Sequence, residues 1–262
     1  MKLTILGSGI CIVKADRKGP AFLLEVENKL LLFDCGWGFG DNILKSGYDL
    51  NAIDHMFISH PHADHMGSLT NMLQSMFVSS LYFPQTARTK PLFLHGYKGF
   101  ESDYERLRSI MFPERKEPYT IFLHEHTDGQ KKLDPFTLVT SEVHHAPSLF
   151  HSVAYRIEYD NTAFVYSGDC SFDDRLVSLS KDADLLILDC STPTAKYKKE
   201  GAQSNHLSPY ECGVIAKEAG VKKLVPFHIY YDFTTKDEVE REIRKNYANE
   251  LFIPHDLQSI EI

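Results

Sequence analysis

A short histidine-rich stretch constrains this chain more than any other feature. It runs from Ser59 to His65 (SHPHADH) and follows the apolar run 53–58. Imidazole is a preferred ligand of zinc and related metals, and a carboxylate adds a hard oxygen donor. Four ligands so close together on a loop cannot all reach one metal easily, but they can divide between two adjacent metals. The stretch therefore predicts half of a two-metal hydrolytic site, and other parts of the chain must supply the remaining ligands.

Length and composition indicate an ordinary globular protein with a real core. The chain has 262 residues, of which 43% are hydrophobic and 24% are charged. These values favour one domain spanning residues 1–262. The net charge of −8 disfavours tight binding to nucleic acid, which needs clustered lysine and arginine. Two divalent metals would add roughly +4 locally, so the site itself could still attract anions.

Cysteine usage and hydropathy indicate a cellular compartment. The five cysteines form no CxxC pair and are odd in number, which argues against a disulfide framework and for a reducing environment. We expect Cys170, next to a candidate ligand, and the other cysteines to be small buried hydrophobic residues. The N-terminal segment lacks a signal-peptide core, and no apolar run is long enough to span a bilayer. The cytoplasm is therefore the expected location, with no membrane partner.

Strand and helix patterns alternate along the chain and predict an α/β fold. Helix starts are indicated by three capping-box patterns, at Ser102, Ser208 and Thr235. Residues 113–118 form a charged, proline-containing segment that predicts an exposed loop. The predicted strands are 2–6, 21–26, 29–33, 53–58, 91–95, 136–143, 156–159, 162–166, 184–188, 223–227, 251–254 and 259–262.

Chemically competent side chains follow several of these strands directly. Asp34 ends one strand, and the sequence is equally consistent with a cap on a turn and with a group that orients metal-bound histidines. The carboxyl ends of strands that alternate with helices meet along one sheet edge, so ligands scattered in sequence would meet there. The pair His124 and His126 has metal-ligand spacing, but without a third ligand nearby a polar strand edge is favoured. The candidate ligands are His60, His62, Asp64, His65, His145, Asp169 and His228.

These motifs resemble those of the metallo-β-lactamase superfamily. The HxHxDH pattern at 60–65 is similar to its signature, and the later candidate ligands resemble its other motifs in the right order. The segments AYRIE (154–158), YSGD (166–169) and HLS (206–208) resemble the ribonuclease Z-like branch. The resemblance covers nearly the whole chain. It implies an α/β fold of the four-layer αβ/βα sandwich type, with two facing sheets and helices outside.

The resemblance also implies the roles of the ligands. Two divalent metal ions are implied, and zinc is favoured over manganese. His62 stands where flavo-diiron relatives usually carry glutamate, which argues against a redox di-iron site. For the ligand after strand 136–143, His145 is favoured, with His144 and His151 as open alternatives. By family likeness, one metal takes His60, His62 and His145, the other takes Asp64, His65 and His228, and Asp169 bridges both.

The implied mechanism is hydrolysis by a metal-bridging hydroxide. Asp64 would orient the attacking water. His206 resembles the branch histidine that donates a hydrogen bond or proton to the scissile group. That branch pairs this histidine with a glutamate, and the matching position here is Asp189, one methylene shorter.

The substrate is less constrained than the reaction. Residues 81–133 contain no glycine-rich basic arm of the kind that transfer RNA-binding relatives carry. The favoured substrate is therefore a small phosphodiester: a cyclic nucleotide, a cyclic sugar phosphate or a short oligonucleotide. Alternatives are a ribonuclease Z-type transfer RNA 3′ endonuclease, a thioester or lactam hydrolase, and a non-catalytic metal-binding scaffold. Relatives are often dimers, so a homodimer is the expected oligomeric state.

Overall fold

Two seven-stranded sheets form the centre of the protein. A computed structural model describes residues 1–111, 116–191, 193 and 205–262. The first sheet has the strand order β14-β1-β2-β3-β4-β5-β6, antiparallel from β14 to β3 and parallel from β3 to β6. Its strands are β1 Lys2–Gly7, β2 Ala21–Val26, β3 Lys29–Phe33, β4 His55–Phe57, β5 Leu92–Tyr97, β6 Ile121–His126 and β14 Ser259–Glu261.

The second sheet repeats this arrangement. Its order is β13-β12-β11-β10-β9-β8-β7, antiparallel from β7 to β10 and parallel from β10 to β13. Each sheet therefore has a parallel half whose strands end at one edge. The strands are β7 Gly129–Leu133, β8 Phe136–Val143, β9 Ser152–Tyr159, β10 Thr162–Tyr166, β11 Leu185–Asp189, β12 Lys223–Phe227 and β13 Glu250–Leu251.

The sheets pack face to face through aromatic side chains. Phe22 of the first sheet contacts Tyr166 and Phe227 of the second, with ring centroids 5.4 and 5.5 Å apart. Phe33 packs on Phe164 at 5.0 Å. A second apolar cluster lies between the second sheet and its helices. The helices are α1 Phe39–Lys45, α2 Ala63–Met66, α3 Leu69–Tyr82, α4 Phe100–Met111, α5 Asp174–Leu179, α6 Pro209–Glu218 and α7 Lys236–Arg244.

Two of the three predicted helix starts are confirmed. Ser208 and Thr235 each form the predicted capping box. The start predicted at Ser102 is wrong, because α4 begins at Phe100. Glu125 of the neighbouring strand β6 accepts hydrogen bonds from N–H groups at this helix start, which makes a local cap unnecessary.

The predicted loop 113–118 lies partly outside the described residues. Cys11 is exposed, so the prediction that it is buried is wrong; the other four cysteines are buried and all five are free thiols. None of the helices in the described ranges is both long enough and apolar enough to cross a membrane.

Candidate metal centre

Segments that follow strands of both sheets bring the candidate ligands together. Three overlapping groups form among the described residues, and within each group one potential ligand atom per residue lies within 4.8 Å of the others. Two of them consist of candidate ligands, and the third, formed by Asp169, Asp189, His206 and His228, shares a residue with each. Each of the two candidate-ligand groups combines residues that follow strands of the first sheet with residues that follow strands of the second. The first group is His60, His62, His145 and Asp169, and the second is Asp64, His65 and His228.

Asp169 lies between the groups. Its Oδ2 atom is 3.8 Å from Nε2 of both His60 and His145, and 3.5 Å from Nε2 of His228. Its Oδ1 atom is 3.2 Å from Nε2 of His65. A single carboxylate thus reaches both groups, which is the geometry a bridging ligand requires.

Short segments with unusual backbone geometry deliver these side chains. Asp64 and His65 lie on the one-turn helix α2, which begins directly after His62. His228 follows β12 with φ of 61°, a conformation that costs free energy in a non-glycine residue. Gly168 precedes Asp169 with φ of 59°, and a Cβ atom there would lie 2.6 Å from Cβ of Ser59. Glycine at 168 therefore lets the loops of the two sheets approach closely.

The residues fit a divalent metal. Nε2 of His60, Nε2 of His65 and Oδ1 of Asp169 are buried, and none has a hydrogen-bond partner in the described part of the chain. Buried polar atoms without partners are costly, and here three of them converge. Nδ1 of His62 and Nε2 of His145 also face each other at 3.2 Å. Imidazole nitrogens and carboxylate oxygens are the donor set of zinc sites, so a bound cation would satisfy these atoms.

Asp34 holds the segment that carries His60 and His65. Its carboxylate accepts hydrogen bonds from Ser59 N–H and from the Ser59 hydroxyl, each at 2.7 Å, and lies 2.6 Å from Nδ1 of His65. The Tyr166 hydroxyl donates to the same carboxylate. Asp34 therefore orients a candidate ligand, and its alternative role as a simple turn residue does not account for these contacts.

Protonation states in the centre follow from burial and charge. Burial holds the pKa of His60 well below its usual range, with the charge of His65 acting in the same direction. A neutral imidazole keeps the lone pair that a metal needs. Burial opposes protonation of His65, but the charges of Asp169 and Asp34 outweigh it and raise the His65 pKa well above its usual value. The same carboxylates would attract a metal cation.

His206 and Asp189 form a pair beside the second group. Nδ1 of His206 lies 2.8 Å from Oδ2 of the fully buried Asp189. The His206 ring stacks on His228 with centroids 5.4 Å apart. Burial lowers the pKa of His206, but the charge and hydrogen bond of Asp189 outweigh burial and raise the pKa to about 9. The shorter aspartate therefore still reaches this histidine.

The structure also separates His145 from its alternatives. Nδ1 of His145 lies 3.0 Å from the carbonyl oxygen of Asn205, which leaves Nε2 directed at the cluster. The side chains of His144 and His151 are 57% and 48% exposed and pair with Asp173 and Glu142 instead. The geometry favours His145 as the ligand.

Sequence reasoning missed two aromatic side chains at the centre. Phe150 packs against His62 with ring centroids 4.9 Å apart. Tyr230 packs against His228 at 5.6 Å, and its hydroxyl lies 3.2 Å from Sγ of Cys11. Both residues follow ligands within a few positions, but no spacing rule distinguishes them from ordinary loop aromatics.

Fold and cluster together define a class: this chain is a metal-dependent hydrolase with the metallo-β-lactamase fold, and it is similar to ribonuclease Z enzymes. Residues 1–208 match the family model described as Anti-Pycsar protein Apyc1, and the chain belongs to that family.

Named relatives agree with this class. A probable metallo-hydrolase, YhfI of Bacillus subtilis, is 26% identical over 254 residues, covering 97% of this chain and 96% of YhfI. The crystal structure of YhfI has a TM-score of 0.82, at 23% identity over 99% of this chain and 98% of that chain. Ribonuclease Z of Methanosarcina acetivorans is 26% identical over 314 residues, covering 100% of this chain and 98% of the enzyme. A diphosphatase of the PhnP family has a TM-score of 0.72 at 21% identity, covering 100% of this chain and 97% of that chain.

Proposed function

We propose that this chain hydrolyses a small phosphodiester at a two-metal centre. The observation that carries the proposal is the position of Asp169 between two ligand groups that contain buried atoms with no hydrogen-bond partner among the described residues. Zinc is the proposed metal, with manganese as the alternative, because the donors are imidazole and carboxylate. The proposed ligands are His60, His62 and His145 for one metal, Asp64, His65 and His228 for the other, and Asp169 for both.

The side chains divide the chemical work. Two divalent metals held by these ligands would supply Lewis-acid activation of water and of the phosphoryl group. Asp64 is proposed to orient the attacking water through its carboxylate, which lies 3.0 Å from Nε2 of His228. His206 is proposed as the general acid: Asp189 fixes its Nδ1 proton, and the proton on Nε2 passes to the leaving oxygen. The raised His206 pKa keeps this acid protonated at neutral pH.

Three observations support a small substrate. The alignment with the Methanosarcina ribonuclease Z extends over 314 residues although this chain has 262, so that enzyme carries segments without a counterpart here. The net charge of −8 disfavours a long nucleic-acid contact. A PhnP-family diphosphatase also shares the fold over the whole chain. Cyclic nucleotides, cyclic sugar phosphates and short oligonucleotides are the proposed substrate classes.

A ribonuclease Z-type transfer RNA 3′ endonuclease is the second candidate. It is supported by the ribonuclease Z relatives that match the full chain and by the pairing of His206 with Asp189. A thioester or lactam hydrolase and a non-catalytic scaffold have less support. We further propose one domain over residues 1–262 and a homodimer. A cytoplasmic location is proposed from the five free thiols.

A substrate screen tests the proposal. Zinc- or manganese-loaded protein is incubated with bis(p-nitrophenyl) phosphate, cyclic nucleotides, cyclic sugar phosphates, a short oligonucleotide, a precursor transfer RNA, a thioester and a lactam. We expect turnover of at least one small phosphodiester and none of the precursor. Cleavage of the precursor alone would establish the second candidate, and turnover only of a thioester or lactam would overturn the phosphodiesterase assignment.

A further inference from the structure

A serine connects Asp189 to the candidate ligand His228. The Ser191 hydroxyl donates to Oδ1 of Asp189 at 2.5 Å, and the Ser191 N–H donates to the same oxygen at 3.1 Å. The same hydroxyl lies 2.8 Å from Nδ1 of His228. All three residues are buried, so water does not compete for these contacts.

The first ligand group has an equivalent connection, through Ser59. The Ser59 hydroxyl donates to Oδ2 of Asp34 at 2.7 Å and lies 3.0 Å from Nδ1 of His60. In both cases an aspartate ends one parallel strand, and the histidine follows the neighbouring parallel strand: β3 and β4 in the first sheet, β11 and β12 in the second. We call each set an aspartate–serine–histidine relay.

The direction of the hydrogen bonds within a relay is fixed by chemistry. An ionised carboxylate can only accept, so each serine hydroxyl must donate its proton to the aspartate. The serine oxygen can then only accept from the histidine, which places a proton on Nδ1. The neutral ring therefore has its lone pair on Nε2. Nε2 of His60 and of His228 are the atoms that face Asp169.

We propose that Ser59 and Ser191 are positioning residues that fix the metal-binding tautomer, each for one metal. The proposal deepens the two-metal centre described above and rests on it. Ser59 acts on His60 in the first ligand group, and Ser191 acts on His228 in the second. Neither serine belongs to the HxHxDH pattern or to the predicted ligand set, although Ser59 directly precedes that pattern.

Asp189 gives the second relay a further link. Its Oδ2 atom accepts from Cys170 N–H at 3.0 Å and lies 2.8 Å from Nδ1 of His206. Both oxygens of Asp189 are thus occupied by hydrogen-bond donors. We therefore assign Asp189 as an anchor for these donors, although it lies close enough to His206, His228 and Asp169 to resemble a metal ligand.

Metal affinity without substrate tests the relays. Ser191→Ala and Ser59→Ala are compared with Ser180→Ala, which removes the hydroxyl of another fully buried serine, one without a hydrogen-bond partner in the described residues. Zinc dissociation constants and stoichiometry are measured by competition with a chromogenic chelator. We expect each relay variant to bind one of the two zinc ions about 10–100-fold more weakly and the other unchanged. Ser180→Ala should bind both as the unsubstituted protein does, and Ser191→Thr, which retains the hydroxyl, should restore much of the loss.

Double substitutions show which ligand each serine serves. In a His228→Ala background, Ser191→Ala should lower zinc affinity little further. In a His60→Ala background, Ser191→Ala should lower zinc affinity by as much as it does in the otherwise unsubstituted protein. Ser59→Ala should show the reverse. Any of three results would overturn the relays. They are zinc affinities equal to those of Ser180→Ala, equally weakened binding of both zinc ions, and full additivity of Ser191→Ala with His228→Ala.

The measurement also separates this inference from the proposed activity. If the affinities follow the expected pattern while no phosphodiester is hydrolysed, the relays stand and the proposed substrate class falls. If the unsubstituted protein binds fewer than two zinc ions, both proposals fall.

Discussion

Three histidines form a hydrogen-bonded row across neighbouring strands of the first sheet. Nδ1 of His55 on β4 lies 3.0 Å from Nε2 of His95 on β5, and Nδ1 of His95 lies 2.9 Å from Nε2 of His126 on β6. The row faces the second sheet, where His55 packs on Phe136 and His126 on Tyr155. We expect this row to make the fold sensitive to mild acid.

The size of the loss in unfolding free energy follows from the shifted pKa values of the three histidines. Burial lowers the pKa of His55 and of His126 to about 4, and that of His95 well below its usual range. An unfolded histidine titrates near 6.5, so the unfolded chain binds protons first as the pH falls. The stabilisation is complete above pH 6.5 and is lost as the pH falls towards 4. For the buried His55 alone, the loss between pH 7 and pH 5 is about 2 kcal/mol, and the other two histidines add to it.

Charged groups around His55 act in both directions. Asp54 raises the pKa of His55, while Lys29, His124 and Lys90 lower it. The pKa of Asp54 is itself held low: its burial raises it, but Lys90 and the Leu30 N–H outweigh burial. Asp54 therefore stays ionised at pH 5, and protonation of His55 remains the relevant event.

Urea unfolding at pH 7 and pH 5 measures the effect. The variant His55→Phe keeps a stacked ring between the sheets but cannot bind a proton. We expect its loss of unfolding free energy between the two pH values to be about 2 kcal/mol smaller than that of the unsubstituted protein. Contributions from the metal ligands are the same in both proteins and cancel. His255→Asn, at an exposed histidine, serves as the control. Equal pH dependence in His55→Phe and the unsubstituted protein would refute the reasoning.

The remaining predictions concern the metal centre. Asp64→Ala should abolish hydrolysis while circular dichroism shows an intact fold, because Asp64 has proposed roles as ligand and as water-orienting group; normal activity in the folded variant would contradict that. His206→Ala should lower kcat by about 10²–10⁴-fold with metal content unchanged, as expected for loss of a general acid; a change only in KM would argue for a binding role instead. Gly168→Ala should lower the melting temperature and weaken metal binding, because its Cβ would meet Ser59 and φ is positive; unchanged values for both would mean that the loops can separate freely.

Local sequence patterns were sufficient for much of the fold. Strands β2, β3, β8, β10 and β12 have the predicted bounds, because each is an apolar run with turn residues or ligands at its ends. Ser208 and Thr235 mark helix starts because their caps lie within four residues. The start of α4 was missed because the group that caps it, Glu125, lies on strand β6, more than 20 residues later in the chain.

The site likewise divides into features that local sequence patterns predict and features that depend on contacts between distant segments. The ligand set remains a prediction, but its members do lie together, since family motifs encode them in order along the chain. The relay through Ser191 and the row through His95 depend on contacts between strands that are distant in sequence. His124 and His126 were expected to form a polar strand edge. β6 is the edge strand, but His126 turns inward to His95, and periodicity alone does not show that pairing.

A metal titration of activity tests the central claim most directly. Metal-free protein receives increasing zinc, or manganese in a parallel series, and bound metal and hydrolysis of bis(p-nitrophenyl) phosphate are measured at each step. A two-metal centre bridged by Asp169 predicts that hydrolysis develops as the second ion binds and saturates at two ions per chain. Full activity with one ion per chain, or two bound ions with no hydrolysis of any phosphodiester, would contradict the claim.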